Sequence, residues 1–220
     1  MKKVRWAVVG TSDFALDWIA RGVASGKNAE LAAVVSRDQA RAEEAARRVA
    51  APHAFTSIAN IDRNLVDGVF LVLPNPQHAP YAIDAARHGL HVIVEKPMAP
   101  SVEECQAMID AAKKNNVTLA VAHCMEWAPP VVRAREVVAK GDIGDVVSIS
   151  IAGSFNYPPA QRWRQDDNTE AGGGPLMDMG VHCIDTITRI AGPVTHVTAM
   201  INHKVYNYAC LLYTSDAADE

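Results

Sequence analysis

The feature that most constrains the fold is a rhythm. Over the first 122 residues, short apolar runs at 4–9, 31–35, 69–73, 91–94 and 119–122 are separated by stretches of helical spacing near 14–23, 39–49, 80–88 and 101–115. The runs are apolar on both sides of a strand rather than alternating, as expected of strands buried on both faces. Strands that alternate with helices in this way predict a parallel sheet covered by helices. Local signals agree with the periods: Phe14, Leu16, Ile19 and Val23 recur at helical spacing. Ser101 and Glu104 form a capping box, and Gly89 stands where a helix would end.

After residue 122 the rhythm changes. A helix near 130–139 leads through the turn GDIGD to 146–151, where Val147, Ile149 and Ile151 alternate with Ser148 and Ser150. That alternation predicts a half-exposed strand of an antiparallel sheet. A long polar loop, the stretch GGGPLMDMGVHCID (172–185) and a last strand near 194–201 follow. The fold class read here is α/β, with domains at 1–122 and 123–209. The 49% hydrophobic content of the 220 residues suffices for a sizeable core. A net charge of −4 with no basic block argues against nucleic acid and anionic membrane as partners. The four cysteines show no CxxC spacing, which suits a reducing, cytoplasmic setting with free thiols.

The turn after the first strand reads Gly10-Thr11-Ser12-Asp13-Phe14-Ala15. A strand–turn–helix with glycine or alanine at these positions suits a dinucleotide pyrophosphate held at a helix N-terminus. Gly10 and Ala15 fill the first and third positions; Ser12 replaces the second glycine and adds a Cβ near the phosphates. At the end of the second strand, Ser36 and Arg37 stand where an acid would read a ribose diol. A hydroxyl and a guanidinium suit a 2′-phosphate, so NADP is favoured over NAD, with Asp38 keeping the NAD reading open.

Ligands of parallel sheets sit beyond the C-terminal strand ends. The segments LPNPQH and VEKP occupy such ends, so Asn75, His78, Glu95 and Lys96 are expected at the cleft. In the second half, a helix over about 175–190 places Asp178, His182 and Asp185 on one face. Leu176, Ile184 and Ile187 are expected to anchor its other faces, and the three glycines before it let backbone approach a flat ligand. Read from residues alone, Asp178 and His182 also fit a helix ion pair or half a metal site. Three well-spaced ligands cannot be assembled, and no metal is expected.

The order GxSxxA, PNPQH, VEKP, GDIGDVVS and WRQDDNTEAGGGPLMDMGVHCID resembles the glucose–fructose oxidoreductase / inositol dehydrogenase (Gfo/Idh/MocA) family, up to about residue 203. The resemblance implies an N-terminal Rossmann domain, a C-terminal domain on an open, mostly antiparallel sheet, and NAD(P)-dependent oxidation or reduction of a sugar, polyol or related compound. It implies that Lys96 lies beside substrate and nicotinamide, that Asp178 and His182 are the acid and histidine of the second-domain motif, and that Trp163 and Arg164 contact substrate. It also implies a homo-oligomer. Histidine is suited to take the hydroxyl proton as hydride leaves carbon, and a lysine cation to steady the developing alkoxide. Glu126 stands where the family often has a basic residue, which is expected to alter charge preference at the substrate. A non-catalytic nucleotide sensor on the same fold is the alternative; Lys96, Asp178 and His182 together favour the enzyme.

The last eleven residues, CLLYTSDAADE (210–220), read as the translation of a sequencing-library adapter. On that reading the chain is a fragment ending near residue 209, lacking most of its second sheet and expected to bind cofactor but to turn over poorly.

Overall fold

A computed structural model describes residues 2–153 and 176–199 of the chain. The chain divides into two compact units, Met1–Ala122 and His123–Glu220. In the first, six parallel strands lie in the order β3-β2-β1-β4-β5-β6. They are β1 (Val4–Val9), β2 (Ala29–Val35), β3 (His53–Phe55), β4 (Gly68–Leu71), β5 (His91–Val94) and β6 (Leu119–Val121). A π-type helical segment, Phe14–Ala20, runs directly into α1 (Arg21–Ser25); α2 (Gln39–Val49), α3 (His78–Arg87) and α4 (Val102–Lys114) complete the unit. This is the doubly wound α/β architecture expected from the alternation, with strand order reversing between β1 and β4.

The apolar runs bury both faces. Ala7, Val9, Ala33, Val35, Val69, Leu71, Val92 and Val94 share a core cluster with Ala79, Ala82 and Ala85 of α3 and Met108 of α4. The intervening residues Val8 and Val34 face the other way, toward Ala15, Leu16, Ala20, Ala45 and Ala46. Alanines on the buried helix faces let the helices approach the sheet closely. The capping box is complete: Ser101 Oγ accepts from Glu104 N and the Glu104 carboxylate accepts from Ser101 N, both at 3.2 Å. Gly89 ends α3 with a φ of +70°, a conformation other residues adopt at a cost. The strand β3 is absent from the sequence reading. It is three partly buried residues at the sheet edge, too short to show a period.

The second unit, taken by itself, holds α5 (Pro129–Ala139) and α6 (Val181–Ala191), the latter continuing a π-type turn, Leu176–Gly180. These helices pack together, and Gly192 ends α6 at a φ of +92°. The strands expected at 146–151 and 194–201 are not formed among the described residues, and neither is an antiparallel sheet. Alternation marks which side chains share a face; it does not supply the neighbouring strand that a ladder requires. Val147 and Val197 accordingly stand 95% and 81% exposed. The anchoring expected of α6 is also reversed in part: Leu176 and Ile184 are exposed, while His182 and Thr186 are buried. Residues 172–175, 200–201 and 210–220, on which the glycine-run, last-strand and adapter readings fall, lie outside the described residues. Among the described residues, no helix is long and apolar enough to cross a membrane.

One ion pair ties β1 to the segment that enters β4. Arg5 donates to both Asp67 carboxylate oxygens (3.0 and 2.6 Å), its main-chain N–H donates to Oδ2 at 2.9 Å, and Asp67 N returns a bond to Arg5 O at 2.8 Å. The Arg5 hydrogen bond holds the Asp67 carboxyl down at about 2. A depressed folded pKa stabilises above the ordinary carboxylate range, near ~3.9, and the contribution is lost as pH falls through the folded value. An Asp67→Asn variant should therefore be less stable than the parent chain at pH 7, with the two urea midpoints converging as pH drops from about 4 toward 2. A gap that stays constant across that window would remove the ion pair as its cause.

Candidate functional site

The first unit's site is built at the point where strand order reverses. The chain leaves β1 at Gly10, whose N–H donates to Val35 O of β2 (3.0 Å), while Val72 N reaches back to Val9 O (2.9 Å). Gly10 has a φ of +123°, and a Cβ there would lie 2.2 Å from the Val72 carbonyl oxygen. Only glycine fits both the dihedral and the space. Ser12 follows without a positive φ, so its side chain brings no backbone strain. Its Oγ accepts from Ala15 N at 3.2 Å, engaging one of the donors a helix start leaves open. Ala15 is fully buried and packs with Val8 and Leu31, so it sets helix-to-sheet distance and offers no side-chain atom to a ligand.

Beyond this turn opens a cavity of about 420 Å³. Gly10, Ser12, Ser36 and Arg37 all line it, so four of the residues singled out as cofactor-binding share one cavity. Arg41, which the sequence reading missed, lines it too. The signal for it was present: Arg41 lies in the first turn of a helix starting directly beyond β2, and such turns face the cleft. Asp38 accepts from Arg41 N at 2.8 Å as the N-cap of α2. One of its carboxylate oxygens is thereby committed to the helix rather than held toward a ribose. Gln77 and Tyr81 line it as well.

The next two strand ends carry the remaining residues of this unit. Asn75 is buried at 4% exposure and opens a 3-10 turn, Asn75–Gln77, closed by Gln77 N to Pro74 O at 2.8 Å. Glu95 and Lys96 are half-buried just past β5; Glu95 N donates to Leu71 O (3.0 Å) and Lys96 N donates to the Glu95 carboxylate (3.2 Å). His78 differs from expectation. Its ring is wholly enclosed, with Nδ1 2.9 Å from Pro97 O and Nε2 2.9 Å from Leu73 O. Both nitrogens face main-chain carbonyls, so the geometry supports His78 as a link between two turns rather than as a cofactor contact.

In the second unit, Asp178 and His182 lie one helical turn apart, Asp178 half-buried and His182 buried. The His182 ring meets His123 edge-on, with centroids 5.8 Å apart and planes at 85°. Buried Glu126 lies 2.6 Å from Arg189 Nε, whose N–H is directed at Asp185 (3.0 Å). Glu126 is therefore paired by charge within its own unit. The guanidinium compensates its charge in place. Asp185, read as sharing the face of Asp178 and His182, is engaged with the same arginine. Trp163 and Arg164 lie outside the described residues.

Comparison with known proteins identifies the class. Residues 4–123 match the family model described as "Oxidoreductase family, NAD-binding Rossmann fold", and residues 131–219 match the GFO/IDH/MocA C-terminal domain. The chain belongs to the Gfo/Idh/MocA oxidoreductase family. It is 32% identical over 198 residues to D-xylose 1-dehydrogenase (NADP(+)) 2 of Haloferax volcanii, covering 88% of this chain and 59% of that protein. It is 28% identical to 1,5-anhydro-D-fructose reductase of Ensifer adhaerens, covering 91% and 60%. Aldose-aldose oxidoreductase from Caulobacter crescentus superposes with a TM-score of 0.76 at 29% identity, covering 87% of this chain and 58% of that one. The 3-ketoreductase KijD10 of Actinomadura kijaniata, solved with NADP and TDP-benzene, superposes with a TM-score of 0.74 at 26% identity, covering 87% and 58%. The chain thus spans somewhat under two thirds of the relatives it matches.

Gly10→Ala should cost on the order of 3 kcal/mol, because the Cβ meets a carbonyl that the sheet prevents from moving. Gly22→Ala, in a helix with nothing within 4 Å of its Cβ, should instead be neutral or stabilising by up to about 1 kcal/mol. Thermal unfolding of both variants checks the pair; equal melting temperatures would reject the steric account of the turn.

Proposed function

We propose that this chain is the cofactor-binding part of an oxidoreductase that prefers NADP and moves hydride between the nicotinamide and a sugar, polyol or related hydroxyl or carbonyl compound. The observation that carries the reading is the convergence of the Gly10 turn, Ser36, Arg37 and Arg41 on one cavity where the strand order reverses. The residues fit a dinucleotide. The Gly10 position admits backbone but no Cβ, the helix N-terminus beside it favours an anion, and a hydroxyl with two guanidiniums suits a 2′-phosphate. Names of relatives point the same way: an NADP(+)-dependent xylose dehydrogenase and an anhydrofructose reductase are both sugar oxidoreductases.

When bound, the nicotinamide supplies the hydride acceptor or donor. In this reading Asn75 and Glu95 border the nicotinamide end. Lys96 orients the substrate oxygen and offsets its developing negative charge, and His182 takes or returns the hydroxyl proton. Asp178 orients the imidazole or holds a neighbouring hydroxyl. Trp163 and Arg164 are assigned to substrate by their place in the family motif. The alternation at 146–151 is assigned to one strand of a mostly antiparallel open sheet in a longer, homo-oligomeric protein, and residues 210–220 to adapter sequence. The cysteine spacing supports a reducing, cytoplasmic setting.

Two measurements test this. Fluorescence titration should show NADPH binding preferred over NADH, with Arg37→Ala and Arg41→Ala each weakening NADPH by about tenfold to a hundredfold, the worth of one charge-assisted hydrogen bond, and leaving NADH nearly unchanged. Equal losses for the two nucleotides would reject the 2′-phosphate assignment. In a protein carrying the complete second domain, Lys96→Ala should lower kcat by at least about a hundredfold, as loss of one electrostatic stabiliser does, with NADPH affinity within twofold. Unchanged turnover would remove Lys96 from the chemistry.

A further inference from the structure

Among the described residues of the first unit, two polar side chains are buried, and they are neighbours in one turn: Asn75 and His78. An imidazole enclosed in an aliphatic core is costly unless its nitrogens are hydrogen-bonded. Here both reach main-chain carbonyls, and the two carbonyls belong to different strand-end turns. Leu73 lies just past β4, and Pro97 lies just past β5, directly after Lys96.

The ladder between those strands stops short of both. Its register runs from Gly68↔His91 to Leu71↔Val94, and its outermost main-chain bond among the described residues is Glu95 N to Leu71 O. Beyond that bond the two turns leave the sheet. The His78 ring bridges them there, anchored at the start of α3 and spanning from one carbonyl to the other.

We propose that His78 is a positioning residue that holds the Lys96 turn in register with the Asn75 turn by tying the Pro97 and Leu73 carbonyls to one rigid ring. Its consequence for catalysis rests on the assignment of Lys96 as the cation that steadies the substrate oxygen; the clamp itself does not. Both carbonyls only accept, so a neutral ring donates its one N–H to one of them and sits in close contact with the other, and two simultaneous donations form only on the doubly protonated ring. A planar ring holds its two nitrogens at a fixed separation and is free only about χ1 and χ2, so it fixes the spacing of its two partners better than a longer, more flexible side chain can. A displacement of the Lys96 turn by as little as about 1 Å can cost on the order of a hundredfold in rate without touching the cofactor's adenosine end.

The two halves of the clamp can be removed separately. The amide nitrogen of asparagine falls about where Nδ1 sits, and that of glutamine about where Nε2 sits. His78→Asn therefore keeps a donor for Pro97 O, and His78→Gln keeps one for Leu73 O. Amide hydrogen exchange on the folded chain is the first readout, and it needs neither cofactor nor turnover. In His78→Gln, exchange at Lys96, Met98 and Ala99 should accelerate by about tenfold or more while Asn75 and Gln77 stay slow; in His78→Asn the pattern should invert. Unchanged exchange in both variants, or uniform acceleration across the whole unit, would overturn the clamp. The second readout is steady-state kinetics in a protein with the complete second domain. His78→Gln should lose kcat with NADPH affinity held, and His78→Asn should recover most of it. Equal turnover of the two variants would overturn the positioning role. A wild-type protein inactive on every sugar and polyol would count against the enzymatic reading, while the exchange pattern still decides the clamp.

Discussion

The close approach of Gly10 to the Val72 carbonyl is the contact on which the first unit depends. Central strand β1 is hydrogen-bonded to β2 on one side and β4 on the other, and both bonds persist to its last residues: Gly10 N to Val35 O and Val72 N to Val9 O. A chain leaving between two such neighbours has room for backbone only, and the 2.2 Å separation of a hypothetical Cβ from an oxygen measures how little is left. The same crowding opens the strand ends into a cleft, since β2 and β4 carry their following segments away in opposite directions.

What fills the rim of that cleft is decided by competition for a few hydrogen-bonding groups. Ser12 engages Ala15 N, Asp38 caps α2 through Arg41 N, and the Asn75 turn closes on Pro74. Side chains that look like ligands in a linear reading thus also serve the backbone. Arg37 and Arg41 carry the cavity's positive charge, one before the helix start and one within its first turn, where the helix N-terminus adds to their attraction for an anion. Farther back, Arg48 joins Asp13 and Asp17 of the first helical segment (2.9 and 2.6 Å), holding the two helices of that face together.

The second unit follows the same economy with different groups. Glu126 and Asp185 converge on Arg189, and His182 is enclosed with His123 at its edge. A buried carboxylate is tolerable where a guanidinium compensates it. That pairing compensates Glu126 within the unit, while Asp178 and His182 lie one turn apart on the neighbouring helical segment. The reading of this motif from sequence placed those two correctly on one helix, one turn apart. It misjudged which of their neighbours would be covered, because Leu176 and Ile184 need apolar partners that the described residues do not provide.

The sequence by itself determined the parallel sheet, its helices and its caps. Strand burial on two faces, helical spacing, the Ser101–Glu104 box and the glycine at 89 are local signals, each written within a few residues. It also pointed to the turns after β1, β2 and β4, which line the cavity, because strand ends are countable along the chain. Tertiary structure alone decided the rest. The edge strand β3 exists because β2 offers it a ladder; three residues carry no period of their own. The strand expected at 146–151 does not form among the described residues, since alternation specifies a face and not a neighbour. His78 passes from presumed ligand contact to internal bridge because Leu73 and Pro97, 5 and 19 residues away, bring their carbonyls to its two nitrogens. Which groups a polar side chain meets depends on where the sheet carries distant segments, and no short stretch of sequence contains that information.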